Sequence, residues 1–410
     1  MPYRVELLRQ DCAVTSFFIV TRISTTPLPQ PGKISGTGID RLLADATLVK
    51  RLRTTRTGLL THDACRTIDG IPTRRAVARA FGSSTEHGLV RLFTPEHGLA
   101  AAAPAGAAVG DGVDPQTGVP VVSLYGRRLQ PDTDMLADLD TVLIDLRDVG
   151  VRCFTYAATA ARLIDVAVEA NIDIVVCDRP NPLGARSAGP SLDPALRSLV
   201  AWLDVPFVHG RTIGELLKLA ADDAGLARIK IVSADDVLGS DVAEDWVPPS
   251  PALDHPHSLR LYPGLVLLEG TNLCEGRGTP VPFRSVSAPW LDTAALINDI
   301  GGWKTPLSAS EGTLVPTTGR YAGKALPAVI FNFKDASDVD GLAFGINLLC
   351  AIVRRHPQFE WTRMPEGLNP DPGDDEERFV VDALLGCRTL RKALTEGDDA
   401  ATILKRWQCG

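Results

Sequence analysis

The sequence predicts an α/β protein: a Rossmann-like, doubly wound parallel sheet in the N-terminal part, with a smaller α+β domain after it. Three segments carry this reading: residues 91–98 (RLFTPEHG), 141–150 (TVLIDLRDVG) and 172–182 (IDIVVCDRPNP). Each is a short apolar, β-branched run that breaks off into charged residues, Pro or Gly. Such runs, bounded by turn signals, read as buried strands, and helical patterns between them imply parallel pairing. In open α/β sheets the reactive groups collect in the crevice at the carboxyl ends of the strands. Glu96 and His97, then Asp145, Arg147 and Asp148, then Asp178, Arg179 and Asn181 are therefore expected to converge from distant parts of the chain.

In chain order, a helical pattern begins at 39–48, and RTGLLT (56–61) reads as the first strand, running into the polar loop HDACRTIDG. An alanine-containing helix is expected over 71–81, and the strand RLFTP follows. The Ala/Gly-rich stretch 98–118 is too long and small-residued for packed core, and such loops are usually functional. A short strand at 119–124 and the strand TVLIDL come next. Residues 156–170 have the i, i+3, i+4 apolar spacing of an amphipathic helix leading into the strand IDIVVCD. Pro248, Pro249, Pro251 and Pro256 then break regularity, as a domain boundary does. Beyond them, 265–269 and PAVIFNF read as strands, 341–354 as an amphipathic helix, and NPDPGDDEE (369–377) as an acidic loop. The expected organisation is an N-terminal extension that is poorly ordered (1–35), a Rossmann-like domain (36–240) and a smaller α+β domain (241–410). The repeated EHGL at 86–89 and 96–99 is too short to mark an internal repeat.

With 410 residues, two domains are the default. Apolar content of 45% and charged content of 22% are ordinary for a soluble globular chain. A net charge of −8 offers no basic face for nucleic acid or anionic lipid. No apolar run approaches the ~18–20 residues that membrane insertion needs. Eight scattered cysteines, without CxxC or Cys/His ligand spacing, read as reduced core thiols and not as a disulfide framework or metal site. AVTSFFIV (13–20) is short for a signal sequence and follows Glu6 and Asp11, which favours an extension that does not pack, or a misassigned start, and a cytoplasmic protein. Secretion or a periplasmic location is the alternative, and oligomeric state is left open.

Each polar cluster has a bland and a chemical reading. Glu96 either caps a following helix, with His97 an ordinary surface residue, or points into a crevice where a raised pKa makes it a general acid. Asp145, Arg147 and Asp148 are either a salt-bridged structural trio or an Asp orienting an Arg that grips a substrate carboxylate. Tyr156 is either a core tyrosine or reaches the same crevice. Asp178 to Pro182 is either a tight turn or a stiff mount for polar groups, since its prolines fix the backbone. Around Gly276 and Gly278, Asn272, Glu275 and Arg277 are either solvated charges on a turn or donors and a second carboxylate beside a ligand. No GxGxxG follows the first strand, and GxxxxGK[ST], HExxH and GxSxG are absent, so dinucleotide, P-loop, zincin and common α/β-hydrolase chemistry are disfavoured.

Eight ordered motifs resemble one family: TGLLTHDA, LFTPEHGL, TGVPVVSLYG, DTVLIDLRDVGVRCFTY, VVCDRPNPLGA, GPSLD, HGRTIGEL and LYPGLVLLEGTNLCEGRGTPVPF. It is the family of NamZ-type exo-β-N-acetylmuramidases, and the likeness covers roughly residues 36–400. The resemblance implies a glycoside hydrolase that removes N-acetylmuramic acid from the non-reducing end of peptidoglycan fragments, in cell-wall turnover, without metal or organic cofactor. It also implies a Rossmann-like domain paired with a smaller one, the site in the cleft between them, and a catalytic glutamate at Glu96. The sequence departs from the family pattern at His62, where Asn is usual, and at Leu99-Ala100-Ala101, in place of an aromatic and Arg-Gly. It departs again within Arg152 to Tyr156, where an RFYTY-like run is usual.

Glycoside hydrolysis needs an acid for the departing oxygen and a second group for the oxocarbenium-like centre. Glu96 is the expected acid. The second group is Glu275, Asp148 or the sugar's own 2-acetamido oxygen. Arg147, Arg179 or Arg277 would pair with the lactyl carboxylate of muramic acid. His62, His97, Asp145, Tyr156, Asn181 and Asn272 complete the expected binding set. The competing reading is a catalytically weak or inactive cell-wall sugar-binding protein on the same fold.

Overall fold

In the computed structural model, residues 36–221, 223–234, 246–334, 339–364 and 378–408 are described. The expected extension 1–35 and the acidic loop 369–377 lie outside the described residues. Seven strands form one sheet: β1 (Arg56–Leu60), β2 (Gly88–Thr94), β3 (Gly112–Val113), β4 (Pro120–Ser123), β5 (Thr141–Ile144), β6 (Asp173–Cys177) and β7 (Ile229–Val232). Their order is β3-β4-β2-β1-β5-β6-β7. All neighbours are parallel except β3 and β4, so the loop expected over 98–118 contributes one antiparallel edge strand. The chain leaves β1 first toward β2 and later toward β5, so the winding reverses around the central strand, as in doubly wound folds.

Strand alternation covers both faces. Leu59, Leu92, Leu143 and Val175 pack with helices α1 (Gly38–Ala44), α2 (Ala46–Leu52) and α3 (Thr73–Phe81), through Ile39, Leu42, Leu52, Val77 and Phe81. Their neighbours Leu60, Phe93, Ile144 and Val176 face α4 (Tyr156–Glu169), through Tyr156, Ala160, Leu163 and Ala167. On this side α5 (Ile213–Ala220) and α6 (Asp223–Arg228) pack beside α4. Helix α5, which the sequence reading leaves unassigned, starts with a capping box in which Thr212 and Glu215 bond each other's backbone N–H. The helical pattern at 39–48 is split at Asp45, whose carboxylate accepts the N–H groups of Thr47 and Leu48 and so starts a second helix.

The second half contains α7 (Pro256–Leu265), β8 (Ser285–Ser287), α8 (Thr293–Gly301), β9 (Leu307–Leu314), β10 (Leu326–Phe333), α9 (Gly341–Arg355), α10 (Val380–Leu385), α11 (Thr389–Thr395) and α12 (Ala400–Gln408). β8, β10 and β9 form an antiparallel sheet in that order. The strand expected at 265–269 is not one: α7 runs through Leu265 and continues as the 3-10 turn Val266–Gly270. A run that is apolar on every side carries no period, so strand and buried helix look alike in sequence. Its Leu259, Leu261 and Leu265 belong to the same continuous core as α4, α9 and β10.

Two contacts lock this arrangement. Helices α7 and α9 cross at glycines: a Cβ on Gly264 would stand 2.1 Å from the Gly341 carbonyl oxygen and 2.7 Å from the Gly345 Cα. At the strand ends on the α3 side, Arg179 donates to both oxygens of the fully buried Asp145, at 2.5 and 2.9 Å, and Thr73 adds a hydroxyl bond of 2.5 Å. Arg179 also donates to the Arg66 carbonyl, so β5, β6, α3 and the loop after β1 meet at one ion pair. Gly264→Ala should lower stability by about 3 kcal/mol or more, because the clash is with backbone and cannot be relieved by a rotamer; urea denaturation of the purified variant checks this. Asp145→Ala leaves the Arg179 charge buried and should destabilise by about 3–5 kcal/mol in the same assay.

Candidate active site

Beyond the carboxyl end of β2, the chain turns sharply. His97 adopts a left-handed φ of 70° and Gly98 one of 75°, after which the N–H groups of Ala102 and Ala103 both return to the His97 carbonyl. A non-glycine residue held in that region is strained, and such strain gathers at functional sites. His97 Nδ1 lies 2.7 Å from the Ala103 carbonyl oxygen, an acceptor only, so this nitrogen carries the proton. Burial lowers the His97 pKa, partly opposed by Ala103 and Glu96, which suits a neutral imidazole.

The same turn sets Glu96. Its Oε1 accepts the Gly106 N–H at 2.9 Å and its Oε2 the Thr155 hydroxyl at 2.8 Å. Gly106 comes from the long Ala/Gly loop and Thr155 precedes α4, so two distant segments fix one carboxylate. That position at the start of α4 favours negative charge. The Tyr125 hydroxyl also bonds Glu96; burial foremost, then that charge, raises the tyrosine pKa.

Glu96 and His97 open onto a cavity of ≈ 540 Å³, within the range of about 300–1,000 Å³ usual for small-molecule sites. Its lining comes from both halves of the chain: Thr155 and Phe154 on one side, Tyr262, Glu269, Arg277 and Phe283 on the other. Arg277 donates to Glu269 at 2.5 Å and its Nε lies 3.4 Å from Glu275, so one guanidinium serves two carboxylates. It is the sole Lys or Arg among the described lining residues. Burial, opposed by Arg277 and reinforced by the charges of Glu275 and Glu96, pushes the Glu269 carboxyl up to about 7.

The other residues singled out from sequence are held elsewhere. Asp145 and Arg179 are committed to each other on the α3 side, because strand alternation sends Asp145 to the face opposite Ile144 and the α4 core. Asp148 accepts the Gly150 N–H at 2.7 Å and meets His209 Nε2 at 3.0 Å, bracing a turn. Arg147 lies over the Trp246 ring at 5.4 Å, and its N–H bonds His62 Nε2 at 3.3 Å. His62 is fully buried, which drives its pKa well down, and it meets the edge of Tyr156. The Tyr156 hydroxyl bonds the Pro249 carbonyl at 2.5 Å. Asn181 ties the Arg211 carbonyl to the Leu183 N–H, and Asn272 ties the Gln358 carbonyl to the Glu360 N–H. None of these lines the cavity, and Glu275 reaches it only through Arg277. Leu99, one of the departures from the family pattern, packs on the α1–α3 side of the sheet.

Three cavity residues escape the sequence reading: Glu269, Tyr125 and Thr155. Treating 265–269 as a strand makes Glu269 its last residue and hides it. The signal available was the pair of glutamates in EGTNLCEG, six residues apart among glycines.

The chain matches two family models in succession: the N-terminal region of the exo-β-N-acetylmuramidase NamZ over residues 57–257, and the C-terminal region of the same over 260–410. It is 34% identical over 330 residues to the peptidoglycan β-N-acetylmuramidase NamZ of Bacillus subtilis (strain 168), covering 78% of each chain. Two crystal structures of DUF1343 family proteins from Bacteroides fragilis NCTC 9343 are also similar. One has a TM-score of 0.71 at 25% identity over 92% of this chain and 99% of its own. The other has a TM-score of 0.67 at 25% identity over 91% and 94%. With both models spanning the described sheets and the cavity between them, the chain belongs to the exo-β-N-acetylmuramidase NamZ family.

Proposed function

We propose that this protein is an exo-acting glycoside hydrolase that releases N-acetylmuramic acid from the non-reducing end of peptidoglycan fragments. The observation that carries the reading is a single cavity holding Glu96, Glu269 and Arg277, in a chain of this family. Two carboxylates supply what glycoside cleavage requires, a proton donor and an anionic partner for the oxocarbenium-like centre. Glu96 stands at the reacting bond, anchored by Gly106 and Thr155 so that its oxygens do not drift. Arg277 is the residue that reads the lactyl carboxylate, as the cavity's lone arginine among the described residues.

In this reading residues 36–240 and 241–410 are the two parts that flank the site, each giving one glutamate. The chemistry asks for no metal, and no group of three or more His, Cys, Asp or Glu suited to one occurs among the described residues. No helix among the described residues is long and apolar enough to cross a membrane. Cys65, Cys153, Cys177, Cys274 and Cys350 are buried free thiols, which supports a reducing compartment, the cytoplasm, and a role in recycling wall fragments.

Glu96→Gln should lower kcat on the natural disaccharide by about 10²-fold or more with a modest change in KM, because the charge is lost while the shape and hydrogen-bond partners remain. Steady-state release of N-acetylmuramic acid measures this, and near-wild-type turnover removes Glu96 from the chemistry. The wild-type protein should also cleave a chromogenic N-acetylmuraminide at least ~10²-fold faster than the matching N-acetylglucosaminide, since a buried charge-assisted pair is worth a few kcal/mol. Equal rates would mean that the lactyl group is not read.

A further inference from the structure

Glu269 is placed as a proton-transfer group is placed. It ends the 3-10 turn that continues α7, on the wall that the second half of the chain gives to the cavity. Around it stand Tyr262, Val266, Phe283 and Cys153, a largely apolar wall against which its side chain is a quarter exposed. Its one charged partner, Arg277, is shared with Glu275. Glu96 differs: both of its oxygens already accept hydrogen bonds, from Gly106 and Thr155, and it is held as an acceptor. Two glutamates in one cavity with such unlike surroundings divide into acid and anion.

We propose that Glu269, not Glu96, protonates the departing glycosidic oxygen, and that Glu96 is the anionic partner at the anomeric carbon. This rests on the hydrolase reading above and deepens it. The Glu269 proton moves to the glycosidic oxygen as the C1–O bond breaks, and the bonding pair stays on that oxygen, which leaves as a sugar hydroxyl. Water bonds to C1 and its proton passes to the Glu96 carboxylate; exchange with solvent restores both groups. A carboxyl with its pKa near 7 still holds a proton at neutral pH, which supports the assignment. Arg277 gains a free face whenever Glu269 is protonated, so the acid form of Glu269 and an anionic substrate favour each other.

The test compares wild type, Glu269→Gln and Glu96→Gln on the natural disaccharide and on a 4-nitrophenyl N-acetylmuraminide, whose leaving group needs little protonation. Glu269→Gln should lose about 10²–10⁴-fold on the disaccharide and stay within about 10-fold of wild type on the nitrophenyl substrate, whereas Glu96→Gln should lose both. In the wild type, kcat for the disaccharide should fall as pH rises through about 7 while kcat for the nitrophenyl substrate does not, so the disaccharide-to-nitrophenyl ratio of kcat falls. Equal losses on the two substrates for Glu269→Gln, wild-type turnover of the disaccharide by that variant, or a pH-independent ratio in the wild type would each overturn the proposal. The last measurement needs no variant to fold. Wild-type protein that cleaves neither muraminide overturns the hydrolase reading itself; wild-type protein that cleaves both while Glu269→Gln is unaffected overturns only the assignment of Glu269.

Discussion

The alternation of side chains across the parallel sheet is the constraint on which the rest of the molecule depends. Each central strand is apolar on both faces, so Leu59 and Leu60, Leu92 and Phe93, Leu143 and Ile144 serve two separate cores. A sheet buried on both sides must spend every residue of the strand on packing, which pushes its polar groups to the carboxyl ends. There the same alternation sorts them. Asp145 follows the α3 side, where Arg179 and Thr73 neutralise it, while Glu96 turns to meet Thr155 at the head of α4. One group of strand-end residues thereby becomes an internal brace, and the other opens onto the cavity.

That sorting explains why so dense a set of charged residues yields so compact a site. The Asp145–Arg179 pair, the Asp148–His209 contact and the Asn181 and Asn272 bridges hold loops in place with buried hydrogen bonds, each of which is expensive to leave unmade. They fix the floor and sides so that the few groups left in the cavity keep one geometry. Glu96 is anchored by donors, Glu269 stands beside Tyr262, Val266 and Phe283, and Arg277 spans Glu269 and Glu275. The contrast between the two glutamates, more than either alone, gives the cavity its chemical character.

Keeping both glutamates in one cavity requires that the halves of the chain not slide. Within the second half, direct backbone contact of α7 with α9 at Gly264 and Gly345 holds the helix from which the Glu269 turn continues. Arg152, buried just ahead of α4, donates to the Val205 carbonyl on its own side and to the Leu385 carbonyl of α10 on the other. The continuous core from the α4 side of the large sheet to β10 does the same with apolar contact. The cavity is therefore built at a packed seam, a common place for small-molecule sites.

The sequence by itself determined the sheet, its central strands and α4, because short apolar runs between turn signals and a 3.6-residue period are local properties. It also determined the family, through motifs such as LFTPEHGL and EGTNLCEGRG, and it singled out Glu96, His97 and Arg277, which the structure brings to one cavity. Three things only the tertiary structure decided. The segment 265–269 is the end of α7 and a 3-10 turn, which the sequence leaves open because an apolar run has no period to distinguish a buried helix from a strand. Glu269 entered the cavity because α7 packs against α9, a contact between residues some eighty positions apart. Asp145 and Arg179 turned away from it because the strands are apolar on both faces: with no polar side to mark the outside, the sequence does not say which way the first polar residue beyond the strand will point.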